Sequence, residues 1–173
     1  MRGFEYYAAR DLAEALSLLK EHGARARLLA GGTDLVLALN RRRVAPLGLI
    51  GLNKVRELDY VRAEDGKFRI GALTTFTTIA ADEIIRDKLP ILSEAAGSIG
   101  SWQIRNVATI GGNLCTASPA ADSAAALLAL DAHVLLADTC GETELPLGSF
   151  LIGPGETAFG ALVLVAEALL EAQ

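Results

Sequence analysis

The chain has 173 residues, of which 51% are hydrophobic and 5% aromatic, and its formal net charge is −5 at pH 7. This length can bury a substantial core and predicts one globular domain, with room for two lobes. The acidic balance argues against a nucleic-acid-binding protein, because phosphate contacts require clustered Lys and Arg.

The cysteines and the apolar segments place further limits on the class of protein. Cys115 and Cys140 match no zinc or iron–sulfur spacing, and two thiols in a chain of this size favour a reducing compartment. The first residues lack the pattern of a signal peptide, and the apolar stretch 161–166 is too short to span a bilayer. These features predict a soluble cytoplasmic protein.

The N-terminal part of the chain predicts a small α/β unit. Asp11 and Glu14 occupy the N-cap and N3 positions of a capping box, and apolar residues at helical spacing then continue to Gly23. The next predicted elements are a strand at 27–30, a helix at 34–39 and a strand at 47–52. This order predicts a small lobe with parallel strand pairing.

The rest of the chain predicts hairpins mixed with helices. Glu64-Asp65-Gly66 is a hairpin turn signal, and residues 77–88 alternate between helical and turn character. Ser118 is the expected N-cap of the last helix. The fold class is therefore α+β, with lobes at 1–55 and 56–173. The predicted elements are strands at 58–63, 67–72, 107–110, 132–137 and 143–147, and helices at 90–98 and 120–130.

Two glycine pairs each follow an apolar run and stand beside a small polar residue. The first lies in Leu28-Leu29-Ala30-Gly31-Gly32-Thr33-Asp34-Leu35 and the second in Thr109-Ile110-Gly111-Gly112-Asn113. Because glycine has no Cβ, such turns can bring bare backbone N–H groups against a ligand. Two of them favour a ligand with adjacent anionic groups, such as a dinucleotide pyrophosphate. An ordinary turn also explains either pair alone.

Polar residues next to the glycines refine this hypothesis. Thr33 adds a hydroxyl donor, while Asp34 is predicted to cap the following helix and to point away from the ligand. No lysine follows the first pair and no third glycine is present, which excludes the Walker and Rossmann loops. Asp122 has two interpretations, a carboxylate that accepts hydrogen bonds from the ligand or an acidic residue favoured at a helix start.

The other polar and aromatic candidates have ordinary explanations. Arg41-Arg42-Arg43 is the only dense basic run, and a solvated loop or helix end explains it. A subunit contact or a contact with an anionic ligand is the alternative. His22, His133 and Trp102 are assigned structural rather than catalytic roles.

Four sequence blocks, at 29–35, 70–75, 103–113 and 117–122, follow one another in order. Together they resemble the FAD-binding subunit of molybdenum hydroxylases. That group includes the medium subunit of aerobic carbon monoxide dehydrogenase and the flavin domain of xanthine dehydrogenase. The resemblance implies a two-lobed FAD-binding fold of the vanillyl-alcohol-oxidase (PCMH) type. It also implies that the chain lacks most or all of the family's C-terminal domain.

The resemblance implies which residues bind the cofactor FAD. The loop at 28–35 wraps the FAD diphosphate, the segment at 109–113 completes that grip, and Asp122 also contacts FAD. Phe159 falls near an apolar position close to the flavin. The cofactor-binding residues expected in this way are Leu28, Leu29, Ala30, Gly31, Gly32, Thr33, Asp34, Leu35, Thr109, Ile110, Gly111, Gly112, Asn113, Asp122 and Phe159.

The resemblance implies an electron-transfer role within a multi-subunit enzyme. Electrons leave a molybdopterin-containing large subunit and cross the [2Fe-2S] clusters of a small subunit. They reach FAD on this chain and pass to NAD, oxygen, a quinone or another acceptor. The flavin carries the redox chemistry, so no catalytic side chain and no metal ligand is expected here. The alternatives are a flavin-free partner-binding module derived from such a subunit, and a phosphate or nucleotide sensor without a redox role.

Overall fold

The computed structural model describes residues 3–64, 66–158 and 164–171 and confirms a mixture of helices and strands. The first elements are β1 (Glu5–Ala8), α1 (Leu12–His22), β2 (Ala26–Leu29), α2 (Leu35–Asn40) and β3 (Gly48–Gly51). Next come β4 (Val61–Glu64), β5 (Lys67–Gly71), α3 (Phe76–Ala81), α4 (Glu83–Lys88), α5 (Pro90–Ser98), α6 (Trp102–Arg105), α7 (Ile110–Thr116) and α8 (Asp122–Ala129). The last are β6 (His133–Asp138), β7 (Gly141–Pro146), α9 (Leu147–Phe150), β8 (Leu151–Gly153), β9 (Glu156–Thr157) and β10 (Leu164–Glu171).

The first three strands form a parallel sheet in the order β1-β3-β2. All four residues of the central strand β3 are buried, as expected for a parallel strand covered on both faces. The predicted parallel pairing is confirmed. Strand β1 is not predicted from the sequence, because its four residues, Glu-Tyr-Tyr-Ala, are too few to show a hydrophobic period.

Helix α1 begins at the predicted cap. The Asp11 carboxylate accepts a hydrogen bond from the Glu14 N–H at 2.8 Å, and Gly23 ends the helix with φ +54°. The second half of the capping box differs, because the Glu14 carboxylate accepts from the N–H of Arg10 instead of Asp11. The Arg10 side chain also donates to Glu14, which lowers the pKa of the Glu14 carboxyl.

A five-stranded antiparallel sheet, in the order β4-β5-β10-β6-β7, forms the second part of the fold. Both predicted hairpins, β4–β5 and β6–β7, are confirmed. Strand β10 is not among the predicted elements, and it overlaps the apolar stretch 161–166 that is too short to span a bilayer. This strand pairs with β5 on one side and β6 on the other, so it joins the two hairpins into one sheet.

The larger hydrophobic core lies between this sheet and the helices that follow β5. Phe68 and Ile70 alternate toward the core along β5, as half-buried strands require. Other side chains in this core are Phe76 and Ile79 of α3, Leu92 and Ala96 of α5, Leu127 of α8, and Val134 and Leu136 of β6. A second cluster, around α1 and β3, contains Ala15, Leu19, Ile50, Leu52 and Val55.

The predicted strand at 107–110 is wrong. Thr109 makes one isolated bridge with Thr75, and α7 begins at the next residue. The Thr109 hydroxyl accepts a hydrogen bond from the Gly112 N–H at 3.3 Å, so this threonine caps the helix. The second glycine pair therefore lies in the first turn of a helix.

The predicted start of the helix at 120–130 is also wrong, because α8 begins at Asp122. The Ser118 hydroxyl accepts from the Ala120 N–H at 3.3 Å, and the Ser118 carbonyl accepts from the Ala121 N–H at 3.1 Å. The Ser118 hydroxyl and carbonyl thus accept hydrogen bonds within a turn, so Ser118 does not cap the helix. Ala121 occupies the cap position, and Asp122 is the first helical residue.

The helix α5 offers a test of the larger core. Leu92 is 0% exposed and its neighbour Ile91 is 45% exposed. We expect Leu92→Ala to lower the free energy of unfolding by about 2–5 kcal/mol, because it leaves a cavity. Ile91→Ala is the matched control, with an expected loss of at most about 1 kcal/mol. Urea denaturation measures both, and equal losses would contradict this placement of α5.

Candidate functional site

The two glycine segments meet at one cleft, although they lie far apart in the sequence. The volume of this cleft is about 190 Å³. Pockets that enclose a drug-sized ligand measure ~300–1,000 Å³, so this cleft has room for only part of an extended ligand. We call it the glycine cleft. It is lined by Leu28, Ala30, Gly31, Gly32, Thr33, Asp34, Leu35, Leu52, Leu58, Ala72, Leu73, Ala108, Thr109, Gly111, Gly112, Asn113, Cys115 and Thr116.

The first glycine segment is a loop between β2 and α2 that presents unused backbone donors. Within the described part of the chain, the N–H groups of Gly31, Gly32, Thr33 and Asp34 donate to no acceptor. Gly32 has φ +74°, a conformation that side chains with a Cβ rarely adopt. Successive free N–H groups in such a turn form a concave site that attracts anions.

Gly31 is a glycine for a second reason, which is packing. A Cβ at this position would overlap the carbonyl oxygen of Val107 and lie 2.7 Å from the carbonyl carbon. Both atoms belong to the backbone, so no side-chain rotation could relieve the overlap. The absence of a side chain therefore lets the first loop lie directly against the segment that precedes α7.

The second glycine segment has its backbone donors already occupied. The N–H of Gly111 donates to the Ala72 carbonyl at 2.9 Å, and that of Asn113 donates to the Thr109 carbonyl at 3.0 Å. Gly112 donates to the Thr109 hydroxyl, as described above. The expectation of bare N–H groups on both segments therefore holds for the first segment alone. A Cβ on Gly111 would lie 2.6 Å from the Cβ of Ala72, which explains this glycine by close packing.

Asp34 does not cap α2, contrary to the prediction. Its side chain makes no capping hydrogen bond, and one carboxylate oxygen instead accepts from the Thr116 hydroxyl at 3.4 Å. The same hydroxyl lies 2.9 Å from the Gly112 carbonyl. Because a hydroxyl has one proton, Thr116 donates to only one of these two acceptors at a time. Asp34 thus faces the cleft and remains exposed to solvent.

Asn113 lies on the other side of the cleft and is held in place by α8. Its side-chain oxygen accepts a hydrogen bond from the Ser123 hydroxyl at 2.7 Å, and Ser123 is fully buried. This bond fixes the amide plane. The Asn113 side-chain NH₂ remains as a donor group beside the cleft.

Three of the expected cofactor-binding residues do not line the cleft, and a fourth is not among the described residues. Leu29 is half-buried at the end of β2, and Ile110 is fully buried in the larger core. Asp122 is exposed at the start of α8, where its carboxylate lies 3.2 Å from the Ser98 hydroxyl, which also lies 2.8 Å from the Ala95 carbonyl and donates to one of the two at a time. Phe159 falls outside the described residues.

Sequence reasoning misses several residues that line the cleft. Leu52 directly follows β3, as Ala30 follows β2, so both lie at the carboxyl ends of parallel strands. Ligands of α/β folds bind at such ends, and this rule could have identified Leu52. No comparable signal marks Leu58, Cys115 or Thr116, which depend on how the two sheets pack. Ala72 and Leu73 lie in a quoted sequence block to which the sequence analysis assigns no ligand contact.

Other chemistry-bearing side chains of the described residues lie elsewhere. His22 stacks on Tyr7 with ring centroids 4.4 Å apart, and His133 lies 2.9 Å from a carboxylate oxygen of Glu144. Neither lines the glycine cleft. Within the described ranges, no three His, Cys, Asp or Glu residues are grouped to hold a metal ion. None of the helices described there has the length and apolar character needed to cross a membrane.

The sequence of this chain matches a known protein family. The model of the family described as "FAD binding domain in molybdopterin dehydrogenase" matches residues 2–171. The chain belongs to this family. FAD is therefore the cofactor of this FAD-binding domain.

Curated proteins with similar sequences are named as FAD subunits. The nicotinate dehydrogenase FAD-subunit of Eubacterium barkeri is 42% identical over 156 residues, covering 90% of this chain and 53% of that protein. The xanthine dehydrogenase FAD-binding subunit of Escherichia coli O157:H7 is 40% identical over 154 residues, covering 88% and 52%. The FAD-binding domain thus spans about half the length of these relatives.

The fold is also shared with a solved enzyme. The structure of carbon monoxide dehydrogenase from Hydrogenophaga pseudoflava, in a form that lacks the Mo-pyranopterin moiety, superposes with a TM-score of 0.95. Its sequence is 34% identical, and the match covers 98% of this chain and 59% of that one. The fold of this chain is therefore that of the matching part of the carbon monoxide dehydrogenase structure.

The close approach at Gly31 can be tested by adding one methyl group. We expect Gly31→Ala to lower the free energy of unfolding by about 1–3 kcal/mol, because the new Cβ overlaps backbone atoms. Gly97→Ala is the control, since a Cβ there would meet nothing within 4 Å and Gly97 lies in α5. The control should be as stable as the wild type or slightly more stable. Equal stability of Gly31→Ala and the wild type in urea denaturation would refute the contact.

Proposed function

We propose that the FAD-binding domain holds the diphosphate of FAD on the free N–H groups of residues 31–34. The observation that carries this proposal is the set of four neighbouring donors without acceptors in the described part of the chain. Buried or half-buried N–H groups are otherwise paired in nearly all proteins, so these donors fit an anionic ligand or its water substitute. Thr33 and Thr109 would add hydroxyl groups from either side.

The walls of the cleft fit the uncharged parts of the same ligand. Leu28, Leu52 and Leu73 supply apolar surface, and the Asn113 amide supplies a polar contact from the opposite side. A pocket with apolar walls and a few placed polar groups is typical of cofactor sites. The Asp34 carboxylate would repel a phosphate, so we propose that it faces a hydroxyl or N–H group of the ligand.

We propose that the remaining expected residues complete the site. Leu29 and Ile110 would support the two segments from behind, while Asp122 would contact FAD directly. Phe159 stays a predicted neighbour of the flavin. Residues 1–55 and 56–173 would then form two lobes with the cofactor between them, in a fold of the vanillyl-alcohol-oxidase (PCMH) type.

We propose that the chain is the FAD-binding part of an electron-transfer subunit in a molybdenum hydroxylase. Bound FAD would supply the redox chemistry, between the [2Fe-2S] clusters of a small subunit and an external acceptor such as NAD, oxygen or a quinone. A molybdopterin-containing large subunit would be the site of substrate oxidation. The backbone N–H groups of the first loop and the side chains around the cleft would bind and orient the cofactor.

A negative charge placed among the free N–H groups tests the site of the diphosphate. We expect Thr33→Asp to weaken FAD binding at least about tenfold, or about 1.4 kcal/mol, because carboxylate and phosphate repel each other. Thr139→Asp makes the same change in an exposed hairpin turn away from the cleft and should leave the affinity unchanged. Retained flavin absorbance after gel filtration and quenching of flavin fluorescence measure binding. Equal affinity of both variants would contradict the proposal, and no binding by the wild-type chain would favour the flavin-free alternative.

A second pair of variants separates the two interpretations of Asp122. If the carboxylate contacts FAD, Asp122→Asn should weaken binding about tenfold. Ser98→Ala removes the hydroxyl that bonds to Asp122 but keeps the carboxylate, so its affinity should stay within about twofold of the wild type. Unchanged FAD affinity in Asp122→Asn would show that Asp122 serves only the helix start and Ser98.

A further inference from the structure

The helix α2 and the residues after it carry an exposed surface that the cofactor site does not use. We call Val36, Leu37, Arg41, Arg42 and Arg43 the α2 surface. Val36 and Leu37 are 47% and 46% exposed, and all three arginines are exposed. Within the described ranges, none of the three guanidinium groups has a hydrogen-bond or ion-pair partner. Scattered apolar residues are common on surfaces, but two adjacent ones beside three free arginines are a less ordinary combination.

Arg42 occupies a backbone position where glycine is the usual residue. The N–H of Arg43 donates to the Ala38 carbonyl at 2.9 Å, and the N–H of Arg42 donates to the Leu39 carbonyl at 3.0 Å. These two bonds form the Schellman ending of a helix, in which Arg42 has φ +56°. Arginine lacks the short polar side chain that lets Asn or Asp adopt this conformation, so its backbone is strained. Because a glycine would remove this backbone strain, the arginine indicates that its side chain has a function. No contact of the Arg42 side chain within the described residues accounts for it.

We propose that the α2 surface binds a partner protein of different sequence whose contact face is apolar at its centre and carries carboxylates around it. This inference rests on the proposed function, in which the chain is one subunit of a larger enzyme. Arginine is enriched in protein interfaces, where its fork binds carboxylates in two places at once. The chain as a whole carries a net charge of −5. An acidic partner is therefore repelled by most of this chain and attracted at the α2 surface, which fixes the orientation of docking.

Two other occupants fit the surface less well. A second copy paired symmetrically through the same surface would bring two arginine runs of like charge together. A nucleic acid would need more clustered positive charge than three residues on an acidic chain. The apolar pair Val36 and Leu37 also has no counterpart on a phosphate backbone. Both occupants remain outcomes of the test.

The position of α2 connects docking to the cofactor site. The helix begins at Leu35, directly after the free N–H groups of the first loop, and both Asp34 and Leu35 line the glycine cleft. A partner bound to the α2 surface therefore holds a helix that continues into the cofactor loop. Binding of the partner would therefore restrict the motion of α2 and, with it, of the loop at residues 31–34 that precedes the helix.

The test measures binding of the FAD-loaded chain to the proposed iron–sulfur subunit and molybdopterin subunit, each purified separately from the same source. We expect the wild type to bind the iron–sulfur subunit, which in the proposed function passes electrons to the FAD held beside α2, and Arg42→Glu to weaken that binding at least tenfold. Leu37→Gln should weaken it as well. Arg86→Glu is the matched control, because Arg86 is exposed on α4, and its affinity should stay within twofold. FAD binding should be unchanged in all three variants.

A glycine variant separates docking from damage to the fold. Arg42→Gly relieves the positive φ, so we expect its Tm to rise by about 2–4 °C while its binding to the partner weakens. A fold defect would lower both. The proposal is overturned if Arg42→Glu and Arg42→Gly bind like the wild type, or if the wild type does not bind the iron–sulfur subunit. It is also overturned if the arginine variants abolish self-association or binding to heparin instead. Failure of the wild type to bind FAD would refute the proposed function, which the flavin absorbance reports independently.

Discussion

The direct contact between the backbones of Gly31 and Val107 determines the shape of the site. Residue 31 follows a strand of the parallel sheet, while residue 107 precedes the helix that packs against the antiparallel sheet. The two parts of the fold therefore meet backbone to backbone, without a side chain between them. Any Cβ there would push the loop away from α7 and widen the cleft. The same kind of approach recurs between Gly111 and Ala72, so two glycines set the spacing of the cleft walls.

The two glycine segments share a sequence pattern but contribute differently to the site. The first leaves its N–H groups free and offers them to a ligand. The second uses its N–H groups to begin α7 and to attach this helix to Ala72, directly after β5, and to Thr109. In the proposed site the first segment would therefore bind the anion, and the second would support it by presenting the side chains of Thr109 and Asn113. A glycine pair alone does not distinguish these roles, because the distinction depends on which acceptors lie nearby.

Much of the fold follows from local signals in the sequence. The capping residue Asp11, the hairpin turn before β5, and Pro90 at the start of α5 each predict an element that the structure contains. The errors occur where a longer-range contact decides the outcome. Residues 107–110 have an apolar, β-branched composition, yet the Thr109 cap and the Ala72 contact make the glycine segment helical.

The candidate site shows the same division. The loop at 28–35 and the segment at 109–113 could be identified from their glycines and from the order of the sequence blocks. Leu58, which completes the apolar wall beside Leu52 and Leu73, could not, because it reaches the cleft only when the two sheets are in place. The change in the role of Asp34, from helix cap to a partner of Thr116, likewise depends on a residue far along the chain.

The central position of β10 constrains the order in which the chain can fold during synthesis. The hairpins β4–β5 and β6–β7 are local, but each has one edge that only β10 covers, and β5 pairs with residues 167–171. Until those residues leave the ribosome, both hairpins present unpaired strand edges, which are sites for mispairing and aggregation. The parallel sheet, built from residues 5–51, has no such dependence and can form first. The wall of the cleft that carries the first loop is then ready before the wall that carries α7 is stable.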